Sequence, residues 1–178
     1  MKNVFLGAVL ALSVAGCASP SLKDYADNTP KMDLVEYFEG RTTAWGQFQD
    51  LRGKVRRRFK VVIDGTYDGN ELTLTEDFVY DDGETERRVW TIVSTGPNTF
   101  EGTAGGVVGK AVGEAAGNAF NWRYTFDLKT GEDKTMRVAF DDWLWRHDEN
   151  TVVNKAYVSK YGVTLGEVII FFRKDDDT

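Results

Sequence analysis

The chain has few of the residues that most often carry catalytic or redox chemistry. Its 178 residues include one cysteine, Cys17, and one histidine, His147. A single cysteine excludes an internal disulfide, so the core alone must hold the fold. A Ser-His-Asp or Cys-His arrangement would have to use His147, which lies in a polar stretch typical of a solvated turn. A zinc site would need this histidine plus carboxylates, an unusual ligand set. We therefore expect no catalytic triad and no metal site.

Positive charge is also scarce. Lys and Arg number 22 against 28 Asp and Glu, a net charge of −6. Nucleic acid requires a basic face, so this class of partner is excluded, and flat binding to anionic lipid is disfavoured. The glycine-rich stretch 102–111 lacks P-loop spacing, because Ala104 stands where the first glycine is needed and Ala111 follows Lys110. We expect no cofactor.

The N-terminal apolar run is too short to span a bilayer. Residues 4–15 are twelve in number, whereas a transmembrane helix needs about 20. Lys2 precedes the run and small residues follow it, which is the layout of a signal peptide. We predict a signal peptide over residues 1–16.

The end of this signal carries a second motif. The residues Val14-Ala15-Gly16-Cys17 resemble the lipobox of bacterial lipoproteins. This resemblance implies cleavage before Cys17 and lipidation of its sulfur, and two or more acyl chains anchor a protein stably. Ala18, in place of Asp, implies sorting to the outer membrane, with the protein facing the periplasm. The alternative is an ordinary signal peptide in which the cysteine occurs by chance.

Composition divides the remaining chain into three parts. Residues 17–31 are mostly polar and hold two of the three prolines, which predicts a lipidated N-terminus and a flexible tether. Residues 32–174 have steady composition without a second linker, and we predict a single domain there. Residues 175–178 form a predicted acidic tail.

The pattern of the domain is that of antiparallel strands. Residues 32–38 read as a short helix that Gly40 ends. Turn signals then separate about nine or ten segments rich in β-branched and aromatic residues. In residues 120–128 every even position is apolar and every odd position polar. Long strands in simple succession predict an up-and-down β-barrel, which closes to remove exposed edges.

Several charged residues fall on strand faces that otherwise read as apolar: Arg57, Glu76, Asp142 and Glu167. A buried charge is costly unless it is paired. Three interpretations stay open. Arg57 pairs with Glu76 or Glu167 inside the barrel; or these groups orient the polar end of an apolar ligand; or a one-residue shift of register places them outside. In the second interpretation three aromatic residues line the cavity wall: Trp122, Tyr124 and Phe126.

Six segments form a recognisable pattern: EYFEG at 36–40, AWGQFQD at 44–50, GEAAGN at 113–118, FDDW at 140–143, GEV at 166–168 and FFRK at 171–174. The pattern resembles an uncharacterised family of bacterial lipoproteins, the domain of unknown function 3833. The resemblance covers nearly the whole predicted domain. It implies no activity, substrate or catalytic residue.

A looser resemblance concerns architecture. A short helix, a tryptophan on the first strand and a meander are similar to the lipocalin and fatty-acid-binding barrels. In those families the tryptophan packs against a basic residue near the end of the chain, which implies barrel closure by Trp45 and Arg173. The chain departs from the lipocalin Gly-x-Trp order, because Gly46 follows Trp45.

These observations favour a lipid-anchored barrel that binds a small apolar or amphipathic ligand, with a lipid as one candidate. The alternative is a structural or interaction lipoprotein with a filled barrel and an envelope protein as partner. A third hypothesis is an enzyme acting on a lipid-like substrate, with interior carboxylates as acid and base.

Overall fold

Short polar turns join each strand of this protein to the next, and the chain closes on itself. The computed structural model describes residues 20–131 and 133–175. The strands are β1 (Gly40–Asp50), β2 (Val55–Tyr67), β3 (Glu71–Tyr80), β4 (Thr85–Gly96), β5 (Thr99–Ala104), β6 (Val107–Ala116), β7 (Ala119–Gly131), β8 (Lys134–Arg146), β9 (Thr151–Lys160) and β10 (Val163–Lys174). Each pairs antiparallel with its sequence neighbours, and β10 pairs with β1. The predicted up-and-down barrel of nine or ten strands is confirmed.

A short helix covers one end of the barrel. Helix α1 (Leu34–Phe38) begins after Asp33, whose Oδ1 accepts hydrogen bonds from the backbone N–H groups of Val35 and Glu36 at 3.0 and 3.1 Å. This N-cap places the start two residues later than the sequence pattern predicted. Leu34, Tyr37 and Phe38 are buried against the strands. Within the described part of the chain, no helix is long and apolar enough to cross a membrane.

The segment before α1 is folded onto the outer wall. Leu22–Tyr25 is a 3-10 helix, and the Tyr25 ring packs 6.1 Å from the rings of both Trp143 and Trp145. The Met32 N–H donates to the Gly117 carbonyl at 2.7 Å. The prediction of a flexible tether is therefore wrong for residues 20–31, because its aromatic and backbone groups find partners on the barrel. The predicted signal peptide, Cys17 and residues 176–178 lie outside the described residues.

The two ends of the barrel differ in how fully its interior is packed. The closed half, covered by α1, has inward side chains that are buried: Ala44, Ile63, Leu74, Ile92, Phe120, Val152 and Phe172. The open half lies at the opposite ends of the same strands. A small buried cluster of Phe126, Val138 and Val158 lies there, and the inward side chains around it are half-buried: Phe48, Phe59, Tyr80, Met136, Phe140, Leu165 and Val168. The interior is therefore less fully covered at the end opposite α1, and we call the space between the inward side chains the lumen.

The closed half is sealed by an arginine that the sequence analysis did not single out. Arg146 ends β8 with a side chain 6% exposed, and its Nη2 donates to Glu36 Oε1 of α1 at 2.8 Å. Its Nη1 donates to the Lys31 carbonyl at 3.0 Å, and its guanidinium lies 5.8 Å from the Tyr37 ring centre. Arg146 thus ties the segment before α1, and α1 itself, to the barrel.

The predicted closure by Trp45 and Arg173 is wrong. Trp45 is 47% exposed on the outer wall, 6.5 Å from the Phe171 ring. Arg173 is exposed and pairs in register with Thr43. The physical reason is strand alternation, since the inward position belongs to Ala44, which is fully buried.

Candidate functional site

A cluster of charged side chains lies inside the barrel, where the closed and open halves meet. We call it the lumen cluster, and its members are Glu76, Glu86, Arg88, Tyr124 and Asp142. They stand on β3, β4, β7 and β8, at positions that alternate with outward residues and share the inward face with buried apolar ones. Glu76, Tyr124 and Asp142 therefore point inward, on the face that the sequence pattern assigned to them.

Two sets of hydrogen bonds hold the cluster. Arg88 Nη2 donates to Glu86 Oε1 at 2.7 Å, and the Tyr80 hydroxyl donates to Glu86 Oε2 at 2.9 Å. On the facing side, the Tyr124 hydroxyl donates to Asp142 Oδ2 at 3.2 Å. Arg88 Nη1 lies 4.0 Å from Glu76 Oε2, within range of an ion pair but too far for a hydrogen bond.

Aromatic rings surround these polar groups. Arg88 reaches across the lumen from β4, so that its guanidinium carbon lies 4.9 Å from the Phe126 ring centre and 5.0 Å from that of Phe78. The Tyr124 ring stacks on Phe140 with centres 5.0 Å apart and contacts Trp90 at 5.4 Å. The three residues predicted to line the wall all lie on the inward face of β7, where Trp122 and Phe126 are buried on either side of Tyr124.

Burial changes the acidity of the cluster. It raises the pKa of Glu76 to about 7, although the charge of Arg88 opposes the change. Burial likewise raises the pKa of Asp142 to about 7, while the Tyr124 hydroxyl acts in the opposite direction. The pKa of Glu86 is lowered, because the charge and hydrogen bond of Arg88 outweigh its partial burial. Two carboxyls of the cluster are thus poised between charged and neutral forms near neutral pH.

Three atoms of the cluster are covered and have no hydrogen-bond partner within the described part of the chain. They are Glu76 Oε2, Arg88 Nε and Asp142 Oδ1. An unpaired buried polar atom costs about 1–3 kcal/mol, so such atoms are rare in structural networks and often mark a site for another molecule. Glu76 and Arg88 keep 14% and 18% of their side chains exposed, so accessible space adjoins the cluster. The arrangement can present polar groups to a molecule that enters the open half.

Arg57 lies nearer to the open end of the barrel than the lumen cluster, at the rim of the open half. Its Nε donates to Asp82 Oδ2 at 2.8 Å, its Nη2 contacts Glu84, and its guanidinium stacks 3.6 Å from the Tyr80 ring centre. The interpretation in which Arg57 pairs with Glu76 or Glu167 is wrong, because Arg57 forms its ion pairs with Asp82 and Glu84 in the acidic turn after β3. Arg57 therefore faces the entrance.

Glu167 does not belong to the lumen. It lies on the outer wall, where Lys155 Nζ contacts its Oε2 at 2.7 Å. A bulge in the pairing of β9 with β10 falls between Thr164 and Gly166, and it reverses the faces of the following residues. Val168 and Phe172 therefore point inward and Glu167 outward, which is the one-residue shift that the sequence analysis left open.

Arg88 and Glu86 were not among the site residues predicted from the sequence. A signal was present, because Glu86, Arg88, Trp90 and Ile92 alternate with outward residues along β4. Arg87 and Arg88 are neighbours with opposite roles, since Arg87 binds Asp77 outside the barrel at 2.6 Å. In the sequence, Arg87 and Arg88 look like one basic pair. Only the assignment of strand faces shows that Arg88 alone points inward.

Two depressions lie on the outer wall. One has a volume of about 780 Å³ and is bordered by Pro20, Arg123, Trp143 and Tyr157 among others. The second, of about 480 Å³, lies between Trp45 and Phe171. Across residues 20–131 and 133–175, no three His, Cys, Asp or Glu side chains are placed to hold a metal ion.

Fold and site together define a lipocalin-like barrel: one closed end, one open end, and a polar cluster between them. The chain belongs to the family described as a protein of unknown function, DUF3833, whose model matches residues 11–174. This confirms the family expected from the sequence. No curated protein matches the chain.

Solved structures share the architecture. The protein is similar to the S-type phycobiliprotein lyase CPES from Guillardia theta, with a TM-score of 0.60 and 10% identity over 83% of this chain and 95% of the lyase. It is also similar to a de novo designed fluorescence-activating β-barrel, with a TM-score of 0.43 and 14% identity over 81% of this chain and 99% of the design. At these identities the likeness to the lyase shows the fold alone.

Proposed function

We propose that the protein is a lipoprotein of the outer membrane, anchored through Cys17 and facing the periplasm, whose lumen binds a small apolar or amphipathic ligand. The observation that carries the proposal is the lumen cluster, with three covered polar atoms lacking partners among the described residues, beneath a half-buried aromatic wall. Ligand pockets combine mostly apolar walls with a few convergent polar groups. Thr42 Oγ1 in the closed half also lacks a partner in the part of the chain that the structure describes, but it is neutral, and atoms of charged groups cost more to bury unpaired. Their concentration in one cluster is therefore not expected of a barrel filled only for stability.

The ligand enters, in this proposal, through the open half. Phe48, Phe140, Leu165 and Val168 line that half and are each only half-buried. An apolar ligand would cover them at about 25 cal/mol per Å² of surface removed from water. Its polar end would reach the lumen cluster below.

The test of binding uses two neighbouring residues that point to opposite sides of β10. Val168→Trp fills the open half, whereas Ile169→Trp adds the same bulk on the outer wall. The naphthylamine probe N-phenyl-1-naphthylamine is titrated onto the purified domain. We expect saturable binding to wild type, affinity at least about tenfold weaker for Val168→Trp, and little change for Ile169→Trp.

Circular dichroism and thermal unfolding show that both variants are folded before the comparison is made. Absence of saturable binding to wild type, across this probe and several lipid classes, would overturn the proposed function. Equal loss in both variants would place the probe outside the lumen.

The anchor is tested separately. Pro20 follows Cys17 by three positions, which at about 3.3 Å per residue span at most about 10 Å. Because residues 20–31 lie on the barrel, the proposed lipid would hold the domain close to the bilayer. Radioactive palmitate should label the wild-type protein in cells and not Cys17→Ser, and only the wild type should fractionate with outer membranes. Labelling of Cys17→Ser would contradict the anchor.

One observation favours the alternative function, an interaction protein of the envelope. Trp45, Val79 and Phe171 are 47%, 55% and 44% exposed beside the depression on the outer wall. Exposed apolar patches of this kind are common at protein interfaces. A photo-crosslinking residue at position 45 should then give one discrete adduct in cells, while the same residue at the exposed position 128 should give none. Matching results at both positions would argue against a specific partner.

A further inference from the structure

The lumen cluster is unbalanced in charge. It holds one guanidinium, that of Arg88, against the three carboxyls of Glu76, Glu86 and Asp142. Arg57 does not restore the balance, because Asp82 and Glu84 at the rim already engage it. An incoming anion would therefore meet a surplus of acidic groups in a region of low dielectric, where like charges repel strongly.

The free hydrogen-bonding capacity has the same bias. Two of the three unpartnered atoms, Glu76 Oε2 and Asp142 Oδ1, are acceptors, and only Arg88 Nε is a donor. The Nη2 of Arg88 is already committed to Glu86, whereas its Nη1 lies 4.0 Å from Glu76 Oε2 and makes no hydrogen bond within the described residues. When ionised, the three carboxyls can together accept about twelve hydrogen bonds, against about seven N–H and O–H donors of Arg88, Tyr80 and Tyr124, so donors of a ligand can use the surplus of acceptors.

The surrounding rings favour the same ligand. Aromatic faces attract cations, as the position of Arg88 beside Phe126 and Phe78 shows. The rings of Tyr124 and Phe140 lie within 6.3 Å of the Phe126 ring, measured between centres, and extend this aromatic surface beside the cluster. Carboxyls beside an aromatic surface are a usual arrangement for binding an ammonium group.

We infer that the lumen is selective for amphipathic molecules whose polar end is a hydrogen-bond donor, above all a protonated amine and secondarily a hydroxyl, and that it discriminates against carboxylates. This inference rests on the proposed function and names its ligand class. The ammonium group would donate to the carboxyls of Glu76 and Asp142, which requires the side chains that cover Glu76 Oε2 and Asp142 Oδ1 to move aside, and its apolar chain would run along the open half. The raised pKa values of both carboxyls, about 7, agree with this assignment, because little free energy is needed to ionise them when a cation arrives.

The experiment compares three probes that share one decyl chain: decylamine, decanol and decanoate. Each is titrated below its critical micelle concentration onto the purified domain at pH 7.5. Binding is followed by isothermal calorimetry and by tryptophan fluorescence, since Trp90 contacts Tyr124 of the lumen cluster and Trp122 contacts Trp90. We expect decylamine to bind at least about tenfold more tightly than decanoate, with decanol between them.

Variants separate the lumen from the acidic surface. Glu76→Gln and Asp142→Asn should each reduce the preference for the amine by at least about fivefold. Glu167→Gln removes a carboxylate of the outer wall and is the matched control, which should keep the wild-type preference. Circular dichroism confirms that each variant is folded.

The outcomes distinguish the two claims. Saturable binding in which decanoate equals or exceeds decylamine overturns the inferred ligand class and leaves the proposed function standing. An amine preference that survives in both lumen variants also overturns it, because the preference then arises at the surface. Failure of all three probes to saturate overturns the proposed function and the inference together.

Discussion

Two arginines with largely buried side chains differ in how fully their donors are used. Arg146, in the closed half, donates to Glu36 and to the carbonyls of Lys31, Asp148 and Glu149. Arg88, at the lumen cluster, donates to one carboxyl and keeps a covered Nε without a partner in the described part of the chain. Removing either arginine removes a buried charge, but only Arg88 has capacity left for another molecule.

The difference extends to the two halves of the barrel. The closed half is packed by apolar side chains and by a helix whose N-cap is satisfied. The open half has half-buried walls above carboxyls held in an unfavourable environment. Proteins tolerate such local costs at functional sites and offset them elsewhere. We therefore expect stability to be concentrated in the closed half, and the proposed binding to take place in the open half.

The largest expected effect comes from the contact between α1 and β2. A Cβ built on Gly65 would collide with the Phe38 carbonyl oxygen, so Gly65→Ala must push α1 off the barrel. We expect a loss of about 3 kcal/mol or more in the free energy of unfolding, measured with urea. Gly105→Ala is the control, because no atom lies within 4 Å of its added Cβ. Similar stabilities of the two variants would mean that α1 does not seal this end.

The next effect tests which arginine closes the barrel. Arg146→Met leaves carbonyl acceptors without their donor, and we expect a loss of about 2 kcal/mol in urea unfolding. Arg173→Met, on the outer wall, should change stability by less than about 0.5 kcal/mol. A larger loss of stability for Arg173→Met than for Arg146→Met would instead support the closure by Trp45 and Arg173 that was expected from the sequence.

The comparison also shows what the sequence could reveal. The barrel followed from period-two alternation, as in residues 120–128, and from turn signals, both of which are local properties. The inward faces of Glu76 and Asp142 followed in the same way. Glu167 did not, because a bulge after Thr164 changes the strand face without a clear signature in one sequence.

Contacts between distant residues were out of reach for a related reason. Arg146 is 110 positions from Glu36, and no local pattern joins them. Tyr25 likewise stands in a polar segment typical of a tether, and only the tryptophans of β8 explain its position. Only the three-dimensional geometry shows which buried polar atoms lack partners. The sequence could therefore predict inward-facing charges, but not which of them contact one another in the lumen cluster.

The smallest effect concerns pH and isolates one carboxyl of the open half. The pKa of Glu76 rises from 4.5 to about 7 on folding, so the folded state holds the proton more tightly than the unfolded chain. This contribution to stability is fully present below about pH 4.5 and is lost as the pH rises through about 7. Between about pH 5 and pH 8 the wild type should therefore lose about 2 kcal/mol more than Glu76→Gln, measured by urea unfolding. The pKa of Asp142 is raised in both proteins, so its effect largely cancels in the difference.

Glu167→Gln, on the outer wall, should retain the wild-type pH dependence. Parallel curves for wild type and Glu76→Gln would show that Glu76 is well solvated, and the contrast between the two halves would then lose its electrostatic basis.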